Sequence, residues 1–579
     1  MNYKETYKLW LTDDYFDERT KAELIKLDGD EKAIEDRFYT SLEFGTAGIR
    51  GEIGAGTNRI NIYVVRRTTQ GLANYILMSG DEAKNRGVLI GYDSRHKSTE
   101  FATEAARVLA GNGIKVYLFD ELKPVPEISF AIRDLKTKAG ICITASHNPK
   151  EYNGYKVYGE DGGQPTAEIT DAISEQISKI SDYSAVKMID MSEAIEKGMI
   201  TYIGKEIDDR YIAAIKEYSV NAGIASEIGD SFKVIYSPLN GSGNKLVRRV
   251  LAETGFKNVF VVEQQELPDP EFTTCNPPNP EKQQVYKLAI DLAEKQKADF
   301  IIATDPDADR LGVVVKNNNG EYIVLTGNQI GCVLLEYILS QKNKKGMLTG
   351  KDIAVKTIVS TELARTIANE YGAKVIDVHV GFKNIGEQIN NIVSDGNKQY
   401  ILGFEESYGY LAGTHARDKD AVQAAMLVTE AAAFYKSRGM TLYDGLNEIY
   451  GKYGYYLEDN VRYTLKGIEG AQKIKSAMDV LRKQKYRRFN DVKVNNFIDY
   501  NECINYDFVS KAESTIVMRK ANVLYFKLEG EGWFAMRPSG TEPLIKLYFG
   551  AKGNTKEDAM HTIQYYKNNI LPVIDKLFE

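Results

Sequence analysis

The stretch Gly140-Ile-Cys-Ile-Thr-Ala-Ser-His-Asn-Pro149 is a short apolar run followed by turn-forming residues. The run predicts a buried strand, and Pro149 keeps the residue before it out of helical space, so Ser146 lies where a loop begins. Ligands of open α/β sheets bind outside the carboxyl ends of the strands, which makes the Ser146 hydroxyl a candidate nucleophile. The alternative is that Ser146 and Asn148 only hydrogen-bond their own backbone.

Length and composition are those of a large globular protein. The 579 residues suggest about four domains, with 43% apolar and 27% charged residues. A net charge of -7 without an extended Lys/Arg-rich stripe argues against a nucleic-acid partner. An anionic small molecule remains compatible with this composition, because a local basic pocket can exist in an acidic chain.

The cysteines and the first residues indicate a cytoplasmic protein. Four cysteines, at 142, 275, 332 and 503, have no paired spacing, which fits a reducing compartment and favours neither a zinc site nor a disulfide framework. The first residues are charged and nothing approaches a membrane-spanning helix, so we expect no membrane partner.

One structural unit occurs three times along the chain. Segments 88–119, 232–262 and 353–378 each have the order strand, small-residue turn, helix, glycine, strand. This alternation predicts βαβ units and largely parallel sheets. Shared ancestry of the three segments is one explanation, and independent use of the same α/β pattern is the other.

Each unit is followed by a further apolar strand that leads to a polar cluster. Strands predicted over 140–144, 300–304 and 399–403 lead to Ser146, to residues 305–310 and to residues 405–407. Three domains that each offer one reactive loop suggest a shared central cleft.

The rest of the chain has a different character. From about Leu446 it contains Tyr/Val-rich strands, including 515–518, 523–528 and 544–549, and a closing amphipathic helix, whereas the first forty residues are helical without visible chemistry. The predicted fold class is α/β, with three similar mixed- or parallel-sheet α/β domains and a smaller C-terminal α+β domain around a central cleft. The predicted boundaries are 1–215, 216–330, 331–445 and 446–579.

Asp305, Asp307 and Asp309 form the strongest candidate metal site. Alternating carboxylates can point at one place, where they repel each other unless a cation neutralises them. Oxygen ligands favour magnesium. An EF-hand is excluded because Arg310 and Lys316 stand where glycine and glutamate are required, while a solvated acidic turn remains the alternative. Arg310 could hold a phosphate or orient an aspartate.

Further clusters fit a phosphorylated sugar. Arg537-Pro-Ser-Gly-Thr541 combines a guanidinium, two hydroxyls and backbone N–H groups, as an anion-binding nest does; a polar hairpin turn is the alternative. Glu405 and Ser407 offer acceptors for sugar hydroxyls, with positive donors nearby at Arg417, Lys419 and His415, although helix capping would also explain them. Arg50, in a glycine-rich loop, could contact a second phosphate or a phosphoserine.

Together these motifs resemble the α-D-phosphohexomutase family, the phosphoglucomutase/phosphomannomutase enzymes, in the same order along nearly the whole chain. The stretch Leu42-Glu-Phe-Gly-Thr-Ala-Gly-Ile-Arg50 and the chain length resemble the branch of long bacterial phosphoglucomutases and animal phosphopentomutases.

The resemblance implies a mechanism and its cofactors. Ser146 would carry a phosphoryl group, and one Mg²⁺ per chain would be held by Asp305, Asp307 and Asp309 and would also touch the Ser146 phosphate. The phosphoserine would donate to a sugar monophosphate, and the resulting sugar 1,6-bisphosphate would turn around and return its other phosphate; glucose 1,6-bisphosphate is thus primer and intermediate.

The resemblance also implies roles for the remaining site residues. Lys156 and Arg50 match positions near the phosphoserine, and the general acid/base is open between them; His147 is another candidate, with an orienting role favoured. The substrate-binding residues implied are Arg310, Gly381, Phe382, Lys383, Glu405, Ser407, Arg417, Lys419 and, for the phosphate that is not reacting, Arg537, Ser539, Gly540 and Thr541.

Departures from the family pattern bear on the substrate. Gly381-Phe-Lys383 is nearer the Gly-Trp-Lys of glucose-type enzymes than the Gly-His-Ser of dual-specificity enzymes, and Asn240 stands where many relatives have histidine. We therefore expect a phosphoglucomutase acting on a small-molecule sugar phosphate, as a monomer or weak dimer. The alternatives are a phosphopentomutase, a phosphomannomutase, a sugar-bisphosphate synthase, a non-enzymatic sugar-phosphate sensor, and a phosphatase with Asp305 as nucleophile.

Overall fold

A computed structural model describes residues 2–45, 48–465, 467–539 and 544–579. Its α-helices are α1 Tyr3–Thr12, α2 Glu18–Ile25, α3 Glu31–Phe38, α4 Ile62–Leu77, α5 Asp81–Arg86, α6 Ser98–Gly111, α7 Val125–Asp134, α8 Ala167–Ser178, α9 Met191–Glu196, α10 Lys205–Lys216, α11 Ile224–Ile228, α12 Asn244–Glu253, α13 Glu263–Glu266, α14 Lys287–Gln296, α15 Gly327–Lys344, α16 Leu363–Glu370, α17 Phe382–Asp395, α18 Ala421–Ser437, α19 Leu442–Tyr453, α20 Gly467–Gln484 and α21 Lys556–Phe578. None of the helices described there is long and apolar enough to cross a membrane.

The strands are β1 Gly48–Glu52, β2 Val88–Tyr92, β3 Val116–Phe119, β4 Ala139–Ile143, β5 Tyr152–Gly159, β6 Ile200–Ile203, β7 Val234–Ser237, β8 Val259–Val261, β9 Phe300–Thr304, β10 Leu311–Lys316, β11 Tyr322–Val324, β12 Asp352–Thr357, β13 Lys374–Val378, β14 Gln399–Glu405, β15 Gly409–Ala412, β16 Tyr455–Thr464, β17 Arg488–Phe489, β18 Val492–Asp499, β19 Ile504–Asp507, β20 Ala512–Thr515, β21 Leu524–Leu528, β22 Trp533–Pro538 and β23 Leu544–Gly553. The chain divides into two compact units. The first comprises Met1–Ile353 and Phe382–Tyr443, and the second comprises Ala354–Gly381 and Asp444–Glu579.

The first sheet of the first unit has the strand order β1-β5-β4-β2-β3-β6. Strands β4, β2, β3 and β6 are parallel, whereas β5 runs antiparallel to β4 and to β1. The two faces of β2 are both covered, because Val88 and Ile90 pack with residues of α4 and α6 while Leu89 packs with residues of α7. Burial on both faces explains why β2 and β4 are apolar runs rather than alternating patterns.

The second sheet of this unit has the order β11-β10-β9-β7-β8, in which β9, β7 and β8 are parallel and β10 is antiparallel to β9. Strands β14 and β15 form a buried antiparallel hairpin. The predicted strands before the three polar clusters are thus β4, β9 and β14, and each is buried along its length or all but its first residue.

The second unit is built on an antiparallel sheet of order β16-β23-β22-β21-β18-β19-β20, with β17 paired to β18. Helices α20 and α21 cover one face, where Leu481 and Ile570 pack with Phe534. On other residues of the same strands, Tyr525 and Trp533 pack with Ile358, which follows β12.

The predicted fold class is confirmed, since α/β segments with mixed sheets precede a C-terminal sheet with helices. The predicted strand over 515–518 is wrong in its bounds. Strand β20 ends at Thr515, and Val517 is 97% exposed beyond it.

Candidate active site

Ser146 lies in the loop that follows β4, where the sequence predicts it. The residue is 4% exposed and has a φ of +53°, a left-handed conformation that is uncommon outside glycine. Its Oγ donates a hydrogen bond of 2.8 Å to Asp305 Oδ2 and lies 3.1 Å from His147 Nδ1. The candidate nucleophile is therefore in direct contact with the candidate metal site.

Asp305, Asp307 and Asp309 form a buried cluster in the loop between β9 and β10. Each offers one oxygen, and these oxygens lie within 4.8 Å of one another. Within the described part of the chain, Oδ1 of Asp307 and Oδ1 of Asp309 have no hydrogen-bond partner. Burial, together with the two neighbouring carboxylates, raises the pKa of Asp305 well above its usual range. Orphaned carboxylate oxygens in a buried cluster fit a hard divalent cation.

Two lysines neutralise this cluster. Lys156 Nζ, on β5, donates to Asp307 Oδ2 at 2.8 Å and lies 3.6 Å from Asp309 Oδ2. Lys419 Nζ lies 3.0 Å from Asp309 Oδ2 and 2.9 Å from Asp418 Oδ1. Burial alone would lower the pKa of both lysines, but the carboxylates outweigh it and raise both pKa values. Both side chains therefore keep their protons at neutral pH and supply charge rather than basicity.

The loop of residues 144–151 between β4 and β5, here called the nucleophile loop, contains His147 and is contacted by Arg50. Burial, reinforced by the charges of Arg310 and Arg50, holds the pKa of His147 well below its usual range, so the ring is neutral at pH 7. A neutral imidazole beside Ser146 Oγ can accept a proton. Arg50, on β1, donates from Nη1 to Asn148 Oδ1 at 3.3 Å.

Arg310 connects the aspartate loop to the sugar-binding candidates. Its backbone N–H donates to Asp305 Oδ1 at 3.0 Å, its guanidinium pairs with Glu281 at 2.8 Å, and its backbone forms an isolated bridge with Gly409. Glu405, the last residue of β14, is 5% exposed. Burial raises the pKa of Glu405 to about 7, against the opposing charge of Lys419. Ser407 is half-buried in the turn that follows.

The other predicted substrate residues of the first unit differ in accessibility. The Arg417 side chain is buried, and its guanidinium donates to Asn390 Oδ1 and to the carbonyl oxygens of residues 414 and 416. Phe382 begins α17 and is buried, with its ring centroid 5.6 Å from Lys419 Nζ. Lys383 is half-buried in the same first turn.

The remaining predicted substrate residues belong to the second unit. Gly381 has a φ of +110°. Arg537 lies on β22, and among the described residues its buried Nε has no hydrogen-bond partner. The Ser539 N–H donates to the Leu544 carbonyl oxygen at 2.8 Å. Gly540 and Thr541 lie outside the described residues.

The sequence interpretation assigned no role to Asp93, Arg95, Thr144 or Glu281. Asp93 and Arg95 follow β2, which pairs in parallel with β4, so they lie at the same sheet edge as the Ser146 loop. The available signal was the Asp-x-Arg pattern directly after a buried strand, because the aspartates after β9 also directly follow a buried strand.

Family models and individual proteins of the same family both match this chain. Four family models match, described as phosphoglucomutase/phosphomannomutase alpha/beta/alpha domain I over residues 41–184, domain II over 209–320, domain III over 326–453 and the C-terminal domain over 479–561. A phosphoglucomutase of Staphylococcus haemolyticus is 37% identical over 533 residues, which cover 92% of this chain and 94% of that protein. A phosphoglucomutase of Staphylococcus aureus strain N315 is 37% identical over 562 residues, covering 96% and 97%.

Solved structures share the fold at lower identity. A putative phosphomannomutase from Thermus thermophilus superposes with a TM-score of 0.67 at 22% identity, covering 93% of this chain and 99% of that one. The open form of pp63/parafusin, a phosphoglucomutase from Paramecium, superposes with a TM-score of 0.66 at 17% identity, covering 93% and 96%.

Proposed function

Because the chain belongs to the phosphoglucomutase/phosphomannomutase family, we propose that it is a phosphoglucomutase, an intramolecular phosphotransferase of the isomerase class. It interconverts glucose 1-phosphate and glucose 6-phosphate through a phosphoserine enzyme and glucose 1,6-bisphosphate. The observation that carries the proposal is the 2.8 Å contact between the Ser146 hydroxyl and Asp305 in the buried aspartate cluster.

The reaction consists of two phosphoryl transfers through Ser146. In the first, the bond between Ser146 Oγ and phosphorus breaks while the free hydroxyl oxygen of the sugar monophosphate bonds to phosphorus, and the proton of that hydroxyl is transferred to Ser146 Oγ. The bisphosphate then reverses in the site, and its other phosphoryl group bonds to Ser146 Oγ as the sugar–phosphate bond breaks, while the Ser146 hydroxyl proton is transferred to the released sugar oxygen. Both transfers depend mainly on positioning and on charge.

Asp305, Asp307, Asp309 and the Ser146 phosphate would hold one Mg²⁺, which supplies positive charge to the phosphoryl oxygens when bound. The orphaned oxygens of Asp307 and Asp309 support this assignment. Lys156 and Lys419 hold protons beside the same cluster, so they stabilise negative charge. The neutral His147 ring orients Ser146 Oγ or takes its proton, and Arg50 contacts the phosphoserine.

Substrate binding is assigned to residues whose polar groups suit a phosphorylated sugar. Glu405 and Ser407 accept hydrogen bonds from sugar hydroxyls, while Gly381, Phe382 and Lys383 form the glucose-type stretch. The phosphate that is not reacting is held by Arg537, Ser539, Gly540 and Thr541, which the unpartnered Arg537 Nε supports. The remaining residues proposed to bind the substrate are Arg310, Arg417 and Lys419.

The proposal extends to the domain division, the location and the partners of the enzyme. The family matches over 41–184, 209–320, 326–453 and 479–561 support four domains in this order, and the boundaries 1–215, 216–330, 331–445 and 446–579 stay a prediction. Four unpaired cysteines support a cytoplasmic location. We take the enzyme to act on small-molecule sugar phosphates as a monomer or weak dimer, with no nucleic-acid or membrane partner.

The test is a mutase assay with magnesium and a trace of glucose 1,6-bisphosphate. Glucose 1-phosphate, mannose 1-phosphate and ribose 1-phosphate are compared for wild type, Ser146→Ala and the matched control Ser178→Ala, an exposed serine at the end of α8. We expect the highest kcat/KM with glucose 1-phosphate, no turnover by Ser146→Ala and wild-type turnover by the control. A preference for ribose 1-phosphate would mean that the substrate is a pentose phosphate. Turnover by Ser146→Ala would mean that Ser146 does not carry the phosphoryl group.

The metal assignment has a separate test. Asp307→Asn keeps the size of the side chain and removes its charge, so we expect loss of turnover and at least about tenfold weaker Mg²⁺ binding by calorimetry. Asp171→Asn, in the exposed part of α8, is the control. Unchanged Mg²⁺ binding by Asp307→Asn would remove that residue from the ligand set.

A further inference from the structure

Arg95 is a buried arginine whose guanidinium contacts backbone carbonyls of the nucleophile loop and of the first residue of β5, together with one carboxylate and one aromatic ring. Its Nη2 donates to the carbonyl oxygens of Ser146 and Asn148, both at 2.5 Å. Its Nη1 donates to the carbonyl oxygens of Pro149 at 2.9 Å and Tyr152 at 3.1 Å. A planar fork can reach four carbonyls in this way, whereas the single nitrogen of a lysine cannot.

Thr144 holds the other side of Ser146. Its Oγ1 accepts the Ser146 N–H at 2.8 Å and donates to Asp93 Oδ2 at 2.7 Å. The same oxygen lies 3.2 Å from Asp307 Oδ2, in the candidate metal loop. Asp93 in turn lies 3.4 Å from Arg95 Nε, so the Asp93 carboxylate contacts both Thr144 and Arg95.

The arrangement fixes a backbone conformation that the chain would not adopt by itself. A non-glycine residue with positive φ is less stable by about 1–3 kcal/mol and persists only where its surroundings hold it. At Ser146, the residue's own N–H and carbonyl are both held, and the Phe272 ring covers the guanidinium of Arg95 at 5.1 Å. If either contact is lost, the Ser146 hydroxyl can turn away from Asp305.

We propose that Asp93, Arg95 and Thr144 are positioning residues, which hold Ser146 in its left-handed conformation so that its hydroxyl faces the aspartate cluster. The inference rests on the proposed function, since it concerns the residue that carries the phosphoryl group. None of the three touches the sugar in this role, and they act on kcat through the geometry of Ser146.

The first test compares Arg95→Lys with Arg66→Lys. Arg66 is a matched control because it pairs with Glu104 at 2.6 Å in the same domain and makes no contact with the nucleophile loop among the bonds described. A misplacement of about 1 Å lowers turnover about 100-fold. We therefore expect Arg95→Lys to lower kcat about 10- to 100-fold, with the KM for glucose 1-phosphate within about twofold and the substitution of Arg66 affecting only Tm. Wild-type kcat in Arg95→Lys, or a rise in KM alone, would overturn the proposal.

The second test is independent of whether Arg95→Lys folds. Thr144→Ser keeps the hydroxyl and should keep kcat within about threefold, whereas Thr144→Val removes it and should lower kcat at least about tenfold. Equal losses in the two variants would overturn the role of the hydroxyl. Combining Thr144→Val with Arg95→Lys should add little to the larger single loss, because both release the same residue. Multiplicative losses would overturn the shared arrangement.

Ser146→Ala, assayed beside these variants, separates the two proposals. Turnover by that variant would reject the phosphoserine mechanism itself. A dead Ser146→Ala enzyme combined with unaffected Arg95→Lys and Thr144→Val enzymes would reject only the positioning role.

Discussion

Glu405 is a side chain whose protonation we expect to be measurable near neutral pH. Burial raises its pKa to about 7, while Lys419 opposes this rise. A carboxyl whose folded pKa exceeds its unfolded value of about 4.3 stabilises the fold fully below about pH 4.3, and this contribution is lost as pH rises through about 7. We expect Glu405→Gln to match wild type at pH 4.5 and to be more stable by about 3 kcal/mol at pH 8.

The measurement for Glu405 is thermal unfolding of both proteins at pH 4.5, 6 and 8 without magnesium or substrate. The exposed Glu196→Gln variant is the control and should change stability little at any of these pH values. An equal difference between Glu405→Gln and wild type at all three values would mean that Glu405 does not titrate in this window.

At the level of single residues, the sequence predicts the central site residues but not the contacts that hold them. Ser146 and the three aspartates were predicted because each follows an apolar run, and a strand end is visible in the sequence. The links from Arg95 to Ser146 and from Glu281 to Arg310 were not predicted, because they depend on which strands are neighbours and on where long loops return. Arg417 stays a predicted substrate residue, although its guanidinium already has backbone partners.

Among the secondary-structure elements, α18 is buried on nearly every side and carries one carboxylate, Glu430. This side chain accepts hydrogen bonds from the Ser219 hydroxyl, from the N–H groups of Val220 and Asn221 at 3.0 and 2.6 Å, and from the Tyr337 hydroxyl at 2.9 Å. The Glu430 carboxylate therefore links two parts of the chain to α18 by hydrogen bonds, namely the segment after α10 and helix α15.

We expect Glu430→Ala to lower the free energy of unfolding by about 3–5 kcal/mol, because it leaves several buried donors without an acceptor. The kcat of the folded enzyme should not change, since none of these contacts involves the residues assigned to the reaction. Urea unfolding and a mutase assay at low temperature measure the two quantities, with Glu196→Ala as the exposed control. A stability change below about 1 kcal/mol would mean that water replaces the carboxylate readily.

The elements that the sequence predicted well are those whose pattern follows from burial. Strands β4, β9 and β14 are apolar because they are covered on both faces. This apolar pattern does not depend on which strands are their neighbours in the sheet. Strand β20 is exposed at every residue and ends earlier than predicted. At such an edge the apolar run over 515–518 carries no information about pairing.

At the scale of the whole molecule, helices α1 to α3 are an integral part of the first unit. Trp10 is fully buried, with its ring 4.3 Å from Phe16 and 5.5 Å from Tyr63 of α4, and it also contacts Phe38 and Tyr183. The aromatic cluster therefore joins the N-terminal helices to the layer that covers the first sheet, although no chemical role was predicted for these helices.

We expect Trp10→Ala to lower the free energy of unfolding by about 3–5 kcal/mol, as large-to-small substitutions of buried aromatic residues do. Tyr39→Ala is the control, because Tyr39 is 63% exposed and should change stability by less than about 0.5 kcal/mol. Thermal unfolding and limited proteolysis measure the loss, and kcat at a temperature where the variant is folded should equal that of wild type. A lower kcat in the folded variant would instead make the N-terminal helices part of the active-site support, through the hydrogen bond from the Leu42 N–H to the Thr57 carbonyl oxygen.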